Sequence, residues 1–265
     1  MSSHLKRIFT SFILLPFIVY VIIWAPYNLF LFAVWVLSAL CLWEFYSFFW
    51  NGHKNLGLKL FGILSSFFVV SHDLWGFSLL AVFLVAFWAV HLSFLFQFKK
   101  RDFVLSDNQF VITGLLYIPF TFHFFLSLSP REIFFVLLAA FISDSGAYYC
   151  GWLWGNKKVW VNISPQKTWS GSLGGMGICI CACCLFGIFL GVLAWYHWIW
   201  IGLVLNGAAQ LGDFFESALK RRYGVKDSGK FLPGHGGLLD RFDSVLLVLP
   251  VYMLLKAYLQ PFISG

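Results

Sequence analysis

The chain has 265 residues, of which 60% are hydrophobic, 21% aromatic and 11% charged, and its mean hydropathy is +0.83. A water-soluble domain carries about 25% charged residues, so an ordinary soluble globular domain is excluded. Disorder needs low hydrophobicity, and a disulfide scaffold is excluded because all six cysteines lie in apolar stretches.

Apolar runs near 20 residues, rather than alternating strands of about 10, predict an all-α polytopic membrane bundle of about nine transmembrane helices. In chain order the expected spans are Ile8 to Ala25, Leu29 to Trp50, Leu58 to Ser71, Gly76 to Phe98, Phe110 to Leu128, Ile133 to Cys150, Leu173 to Leu193, Trp198 to Phe215 and Val245 to Phe262. The third is short for a 30 Å hydrocarbon core and reads as tilted or re-entrant. The first follows His4, Lys6 and Arg7 as a signal peptide would, but no small-residue cleavage site follows it. It is read as an uncleaved helix.

With a cytoplasmic N-terminus, 16 of the 18 Lys and Arg residues fall on the cytoplasmic side, leaving Arg131 in an opposite loop and Lys256 inside the last span. The net charge of +7 is then a cytoplasmic charge, available to anionic headgroups or an anionic soluble ligand. No repeat or low-complexity tract divides the chain, so residues 1–265 read as a single membrane domain. Its first part, 1–130, carries no chemistry motif. The remainder, 131–265, holds the two long cytoplasmic loops, 152–172 and 217–244.

Acids are scarce, eight Asp and three Glu, and five of them (Asp213, Glu216, Asp227, Asp240, Asp243) fall within 31 positions. Asp144 lies inside an apolar span, where an ionisable group is costly and a functional reading is the default. Ala140, Ala147 and Gly151 share its face and would let another backbone approach. The alternative is an interhelical hydrogen bond. Asn206, Gln210, Asp213, Ser217 and Lys220 recur at intervals of four, three, four and three, which stacks them as a polar stripe on one helical face. Asp240 and Asp243 are three apart, so a helix beginning near Leu239 would point both the same way.

Carboxylates meeting at a membrane surface beside Lys220, Arg221, Lys226, Lys230 and Arg241 suit hard divalent cations and phosphates. The glycines around His235, including Gly224, Gly229, Gly236 and Gly237, could let backbone N–H groups approach an anion or could simply form a turn. Likewise Gly171 and Gly175 could serve close helix packing, and Lys167 beside Thr168 at a helix start could bind phosphate. Cys179, Cys181, Cys183 and Cys184 are too crowded for a usual zinc arrangement and read as small packing residues. Glu44 and His91 read as intramembrane polar groups with packing partners, and the 33 Phe and 13 Trp as lipid contacts and interface anchors.

The run Ser217 to Gly229, continuing through Leu232 to Ser244, closely resembles the signature of phosphatidate cytidylyltransferases, also called CDP-diacylglycerol synthases. Gln210-Leu211-Gly212-Asp213, Asp144-Ser145-Gly146-Ala147-Tyr148 and Ser164-Pro165-Gln166-Lys167-Thr168 resemble the same family. The similarity covers the C-terminal half. One position departs: after the Thr-Trp pair, where the family usually has Glu, this chain has Ser170.

The resemblance implies transfer of the cytidylyl group of CTP to phosphatidate, giving CDP-diacylglycerol and pyrophosphate. It further implies dependence on Mg²⁺, with room for a second cation such as K⁺, and a homodimer in the bacterial inner membrane whose site faces the cytoplasm. CTP, phosphatidate and membrane lipid are the implied partners, and nucleic acid is not. Carried over by position, Asp213, Asp240 and Asp243 form the metal centre. Ser217, Lys220, Arg221, Lys226, Asp227, His235 and Arg241 are the implied catalytic residues, and Asp144, Ser164, Lys167, Thr168, Lys230, Gly236 and Gly237 the substrate-binding ones. A phosphate monoester is already ionised at neutral pH, so the reaction needs no strong base and its difficulty is bringing two anions together. A transporter with the stripe as an ion pathway, or a CTP-dependent lipid kinase, are the alternatives.

Overall fold

The computed structural model describes residues 16–50, 55–97, 105–229, 231 and 236–262. Residues 16–24 are helical and are designated α1. Then follow α2 (Tyr27–Phe49), α3 (Leu56–Trp75), α4 (Leu79–Gln97), α5 (Leu105–Tyr117), α6 (Pro119–His123), a 3₁₀ turn (Phe124–Ser127) and α7 (Pro130–Trp154). A short hairpin, β1 (Lys158–Trp160) and β2 (Ser164–Thr168), precedes α8 (Trp169–Leu190), α9 (Trp195–Arg222) and α10 (Leu239–Leu259). The protein is an all-α membrane protein, and six segments among the described residues are long and apolar enough to cross a bilayer: α2, α3, Ser106–Ser127, α7, α8 and α10.

Two expectations are refined. The third span is not short: α3 runs 20 residues, from Asn55 in the left-handed region to Gly76 in the same region, because Ser71, His72 and Asp73 continue the helix past the apolar run. The span from Phe110 to Leu128 is broken at Ile118, since Pro119 has no N–H to continue the ladder and instead starts α6 at its first position. The loop 152–172 also holds a two-stranded antiparallel ladder, Lys158 opposite Thr168 and Trp160 opposite Ser164.

The described residues group into two compact units. One holds the chain up to Leu126 together with Asp227–Asp240; the other holds Ser127–Lys226 and the chain from Arg241 onward. In the first, Tyr46 is fully buried, donates its hydroxyl to the Val111 carbonyl at 3.0 Å, and lies where a Cβ on Gly62 or Gly114 would stand. Small residues on α3 and α5 therefore admit a large ring from α2. Trp50 Nε1 and Asn55 Nδ2 donate to the two oxygens of Asp107, at 2.7 and 2.9 Å, which satisfies that buried carboxylate.

In the second unit α7 and α8 approach closely. A Cβ on Gly175 would stand 2.8 Å from the Ser143 carbonyl oxygen, and one on Gly171 2.6 Å from that of Ala147. Lipid gives apolar helices no hydrophobic incentive to associate, so close backbone approach and dispersion supply the cohesion. The packing role left open for Gly171 and Gly175 is the one they fill, and Cys179 and Cys183 are buried in the same unit. Helix α7 starts at a Ser129 whose N–H and hydroxyl both donate to Glu132 Oε2, at 2.8 and 2.9 Å. Glu132 also accepts from Tyr252 at 3.0 Å and from Lys256 at 2.9 Å, which accounts for the cation inside the last span. Trp50 and Trp198 are buried, so not every tryptophan serves lipid contact.

Candidate active site

Helix α9 is 28 residues long, about 42 Å at ~1.5 Å per residue. Its second half carries the polar groups, from Asn206 to Lys220. The predicted stripe is tied together along the helix: Gln210 Nε2 donates to Asn206 Oδ1 at 3.2 Å, and Ser217 Oγ to Asp213 Oδ1 at 3.2 Å. At its apolar end Asn206 Oδ1 also accepts from Ser143 Oγ at 2.8 Å, and Gln210 donates to the Ser172 carbonyl at 3.0 Å. The stripe thus also anchors α7 and α8 to α9. The helix stops in a Schellman arrangement: Gly224 has φ +68° and the Val225 N–H reaches the Lys220 carbonyl at 2.9 Å.

Four carboxylates and two ammonium groups gather in this unit. Lys167, on β2, pairs with Asp213 at 2.5 Å and lies 4.0 Å over the Phe214 ring. Lys220 pairs with Glu216 at 2.8 Å, one helical turn away. Asp243 is buried, accepts the Ser244 N–H at 2.7 Å, shares a hydrogen bond with Glu216, and interacts electrostatically with Asp213 and Lys220. Asp144 accepts the Ser244 hydroxyl at 2.7 Å and feels the charges of Asp243, Asp213 and Lys167. Gly212 makes this possible, because a Cβ there would stand 2.6 Å from the Asp243 carbonyl oxygen and 3.2 Å from Ser244 Cα. The Gln-Leu-Gly-Asp sequence therefore needs its glycine to bring the start of α10 against α9.

Other expected residues take other places. Arg221 donates to the Ile163 carbonyl at 3.3 Å; Lys226, Asp227 and Arg241 are exposed. Ser164 begins β2. Thr168 is the N-cap of α8, accepting the Gly171 N–H at 3.2 Å, and is buried, so its visible role is to start the helix. Lys230 and His235, and the first half of the first expected span, lie outside the described residues.

In the other unit the Gly-rich segment folds onto two acids. Asp240, in the first turn of α10, accepts the Ser228 N–H at 3.0 Å and the Gly237 N–H at 2.9 Å. Gly237, expected to offer its N–H to a phosphate, gives it to Asp240. Gly236 adopts φ +83°, a conformation that favours glycine. Glu44, buried on α2, accepts the Ser228 hydroxyl at 2.9 Å and the Leu239 N–H at 2.8 Å. A Cβ on Gly229 would collide with Glu44, and one on Gly237 with Ser228 and Glu44. Here the glycines form a turn that fits around carboxylates.

Three residues with evident roles had no assignment from sequence: Glu216, Glu44 and Ser228. Glu216 had a visible signal, its four-residue spacing from Lys220. Glu44 was conspicuous as a lone acid in an apolar span, but its partner Ser228 is 184 positions away and nothing in spacing connects them.

Fold and site together define a polytopic helical membrane protein whose polar machinery consists of oxygen donors and lysines gathered around the second half of its longest helix. The chain belongs to the Cytidylyltransferase family, whose profile matches residues 5–259. It is 40% identical over 167 residues to a phosphatidate cytidylyltransferase of Bacillus subtilis, covering 60% of this chain and 62% of that protein. It is 39% identical over 162 residues to the protein of that name from Staphylococcus aureus (59% and 62%), and 40% over 164 residues to that from Staphylococcus epidermidis (59% and 62%). The matched region thus spans less than two thirds of each of these relatives.

Proposed function

We propose that the protein transfers the cytidylyl group of CTP to phosphatidate, releasing pyrophosphate. The observation that carries this reading is the gathering of Asp144, Asp213, Glu216 and Asp243 with Lys167 and Lys220 in a chain of the Cytidylyltransferase family. In the reaction a phosphate oxygen of the lipid forms a bond to the α-phosphorus of CTP while the bond from that phosphorus to the bridging oxygen breaks. The electron pair leaves with pyrophosphate. The lipid oxygen is already anionic, so the chain's task is to position two anions and hold the charge that leaves.

The donor set fits a hard divalent cation. Asp243 is buried and interacts electrostatically with Asp213, a pair of carboxylates whose repulsion a cation would offset, and every candidate ligand is oxygen. Asp213 and Asp243 would hold Mg²⁺; the metal role of Asp240 rests on the motif. When bound, the ion neutralises phosphate charge and orients the α-phosphate. Lys167 and Lys220 hold phosphate oxygens of the incoming substrates, exchanging their carboxylate partners for them. Arg221, Lys226, Lys230, Arg241 and His235 extend that cationic surface, and Ser217 fixes the orientation of Asp213.

A nine-span topology accompanies this reading. The six candidate spans are supplemented by α1, α4 and α9, with the Lys- and Arg-rich loops, and hence the site, on the cytoplasmic face of a bacterial inner membrane. Lipid then enters from the bilayer and CTP from water. The assembly is a homodimer, on the strength of the resemblance.

Purified full-length protein given CTP labelled in the α-phosphate, phosphatidate and Mg²⁺ is expected to form a labelled CDP-lipid with one pyrophosphate per turnover. Release of CDP with a phosphorylated lipid would establish a kinase instead. No product across a range of phosphatidates would reject the cytidylyl-transfer reading.

A further inference from the structure

Away from the carboxylate cluster, in the unit built on α2 to α6, two imidazoles face each other. His72, near the C-terminal end of α3, and His123, at the end of α6, are both buried. Their Nε2 atoms are 3.1 Å apart. His72 Nδ1 lies 3.1 Å from the Phe77 carbonyl and 3.1 Å from Asp73 Oδ1. Both neighbours are acceptors, so that nitrogen carries a proton. His123 Nδ1 lies 3.4 Å from the Val70 carbonyl, which assigns its proton in the same way. Each Nε2 is then left with an outward lone pair, and with the ring centroids only 4.4 Å apart the two lone pairs converge at an angle beside the rings. Something electron-poor belongs between them.

We propose that His72 and His123 chelate a divalent transition-metal ion of the zinc class through Nε2, with Asp73 holding the Nδ1 proton of His72 and water completing the coordination. Metal–imidazole bonds of ~2.0–2.1 Å, at angles between about 90° and 110°, place two ligand nitrogens roughly 2.9–3.4 Å apart. The observed separation lies inside that interval. The outer contacts are those metal-binding histidines use: each donates its other ring N–H to a carbonyl or carboxylate, which fixes the tautomer and turns the free lone pair inward. Asp73, the carboxylate on the far nitrogen of His72, has a side chain that is 58% exposed, leaving a path for the ion and room for water.

Nitrogen ligands select Zn²⁺, Cu²⁺ or Ni²⁺ over Mg²⁺, which prefers oxygen. This site and the carboxylate cluster therefore take different ions. Neither histidine belongs to the motif-bearing segments, and the two are 51 positions apart, so no metal-ligand spacing exposes them in the sequence.

The test is Zn²⁺ uptake by the full-length protein in detergent after stripping with a chelator, read by calorimetry and elemental analysis. One equivalent is expected to bind and to resist displacement by excess Mg²⁺. Loss of an outer-shell partner typically costs 10–100-fold in affinity, so His72→Gln or His123→Gln, which removes a direct ligand, is expected to weaken binding by about 100-fold or more. Asp213→Asn should leave Zn²⁺ binding unchanged. The wild-type protein loaded with Cu²⁺ gives a check that needs no variant, since its paramagnetic resonance spectrum should show coupling to two imidazole nitrogens. Uptake no greater than in the His72→Gln/His123→Gln double variant would overturn the proposal and leave a proton shared between the rings. A Cu²⁺ spectrum without imidazole coupling would overturn it as well.

Discussion

Both units place carboxylates among glycines at the end of helices, yet the two sets are satisfied in opposite ways. Glu44 and Asp240 are met by donors of the loop that each helps to hold: backbone N–H groups of Ser228, Gly237 and Leu239 and the Ser228 hydroxyl. The acids of the other unit are met largely by charged side chains and by one another, Lys167 on Asp213, Lys220 on Glu216, and Asp243 on Glu216. A carboxylate bonded to backbone amides has a fixed geometry. One paired with a lysine can release its partner to a phosphate and accept a cation in exchange. The comparison separates acids held by backbone amides from acids paired with lysines.

Four substitutions test that separation. The largest effect is expected for Asp213→Asn, which keeps the shape but removes the charge that pairs with Lys167. CDP-lipid formation should fall by about 10²- to 10³-fold, the scale seen when a transition-state electrostatic partner is lost, with little change in thermal melting. Wild-type turnover in this variant would place Asp213 among the structural acids. Next is Lys256→Met, which removes the charged partner of the buried Glu132 and leaves it only the neutral donors of Ser129 and Tyr252. Breaking a buried pair typically costs about 3–5 kcal/mol, and the melting temperature in detergent should drop clearly while specific activity of the surviving folded protein stays near wild type.

Glu44→Gln comes third. It keeps the volume but replaces an ionised acceptor of two hydrogen bonds, and a loss of about 1–3 kcal/mol is expected. Limited proteolysis should then cut between Asp227 and Asp240 more readily than in wild type; unchanged cleavage would show that Glu44 does not hold this segment. The smallest effect is expected for Thr168→Ala. Loss of an N-cap costs about 1 kcal/mol, measurable as a small decrease in melting temperature. A loss of activity far beyond that would show Thr168 to touch substrate as well as cap α8.

The polar stripe of α9 was legible because its members are neighbours along one helix, where spacings of three and four residues dictate a shared face. The shared face expected of Asp240 and Asp243 was conditional on a helix beginning near Leu239, which is where α10 begins. It did not reveal that Asp240 binds backbone amides while Asp243 meets Glu216, because those partners come from elsewhere in the chain. Lys167 was read as a phosphate ligand at a helix start. It directly precedes the N-cap of α8, and its pairing with Asp213, which spacing did not suggest, comes from its place on the β1–β2 hairpin. Glu44 and the pair His72 and His123 were noted least, or not at all, in proportion to the sequence separation of their partners.

Composition alone determined the solvent, since so apolar a chain has no other stable surface than one facing lipid, and helical periodicity determined the stripe. The motif of the C-terminal half determined the family. Which acids pair with lysines and which hold a loop, and that two distant imidazoles face one another, were decided only by tertiary structure. Hydrogen-bond partners and ligand distances depend on contacts between segments far apart in the chain, and no local pattern encodes them.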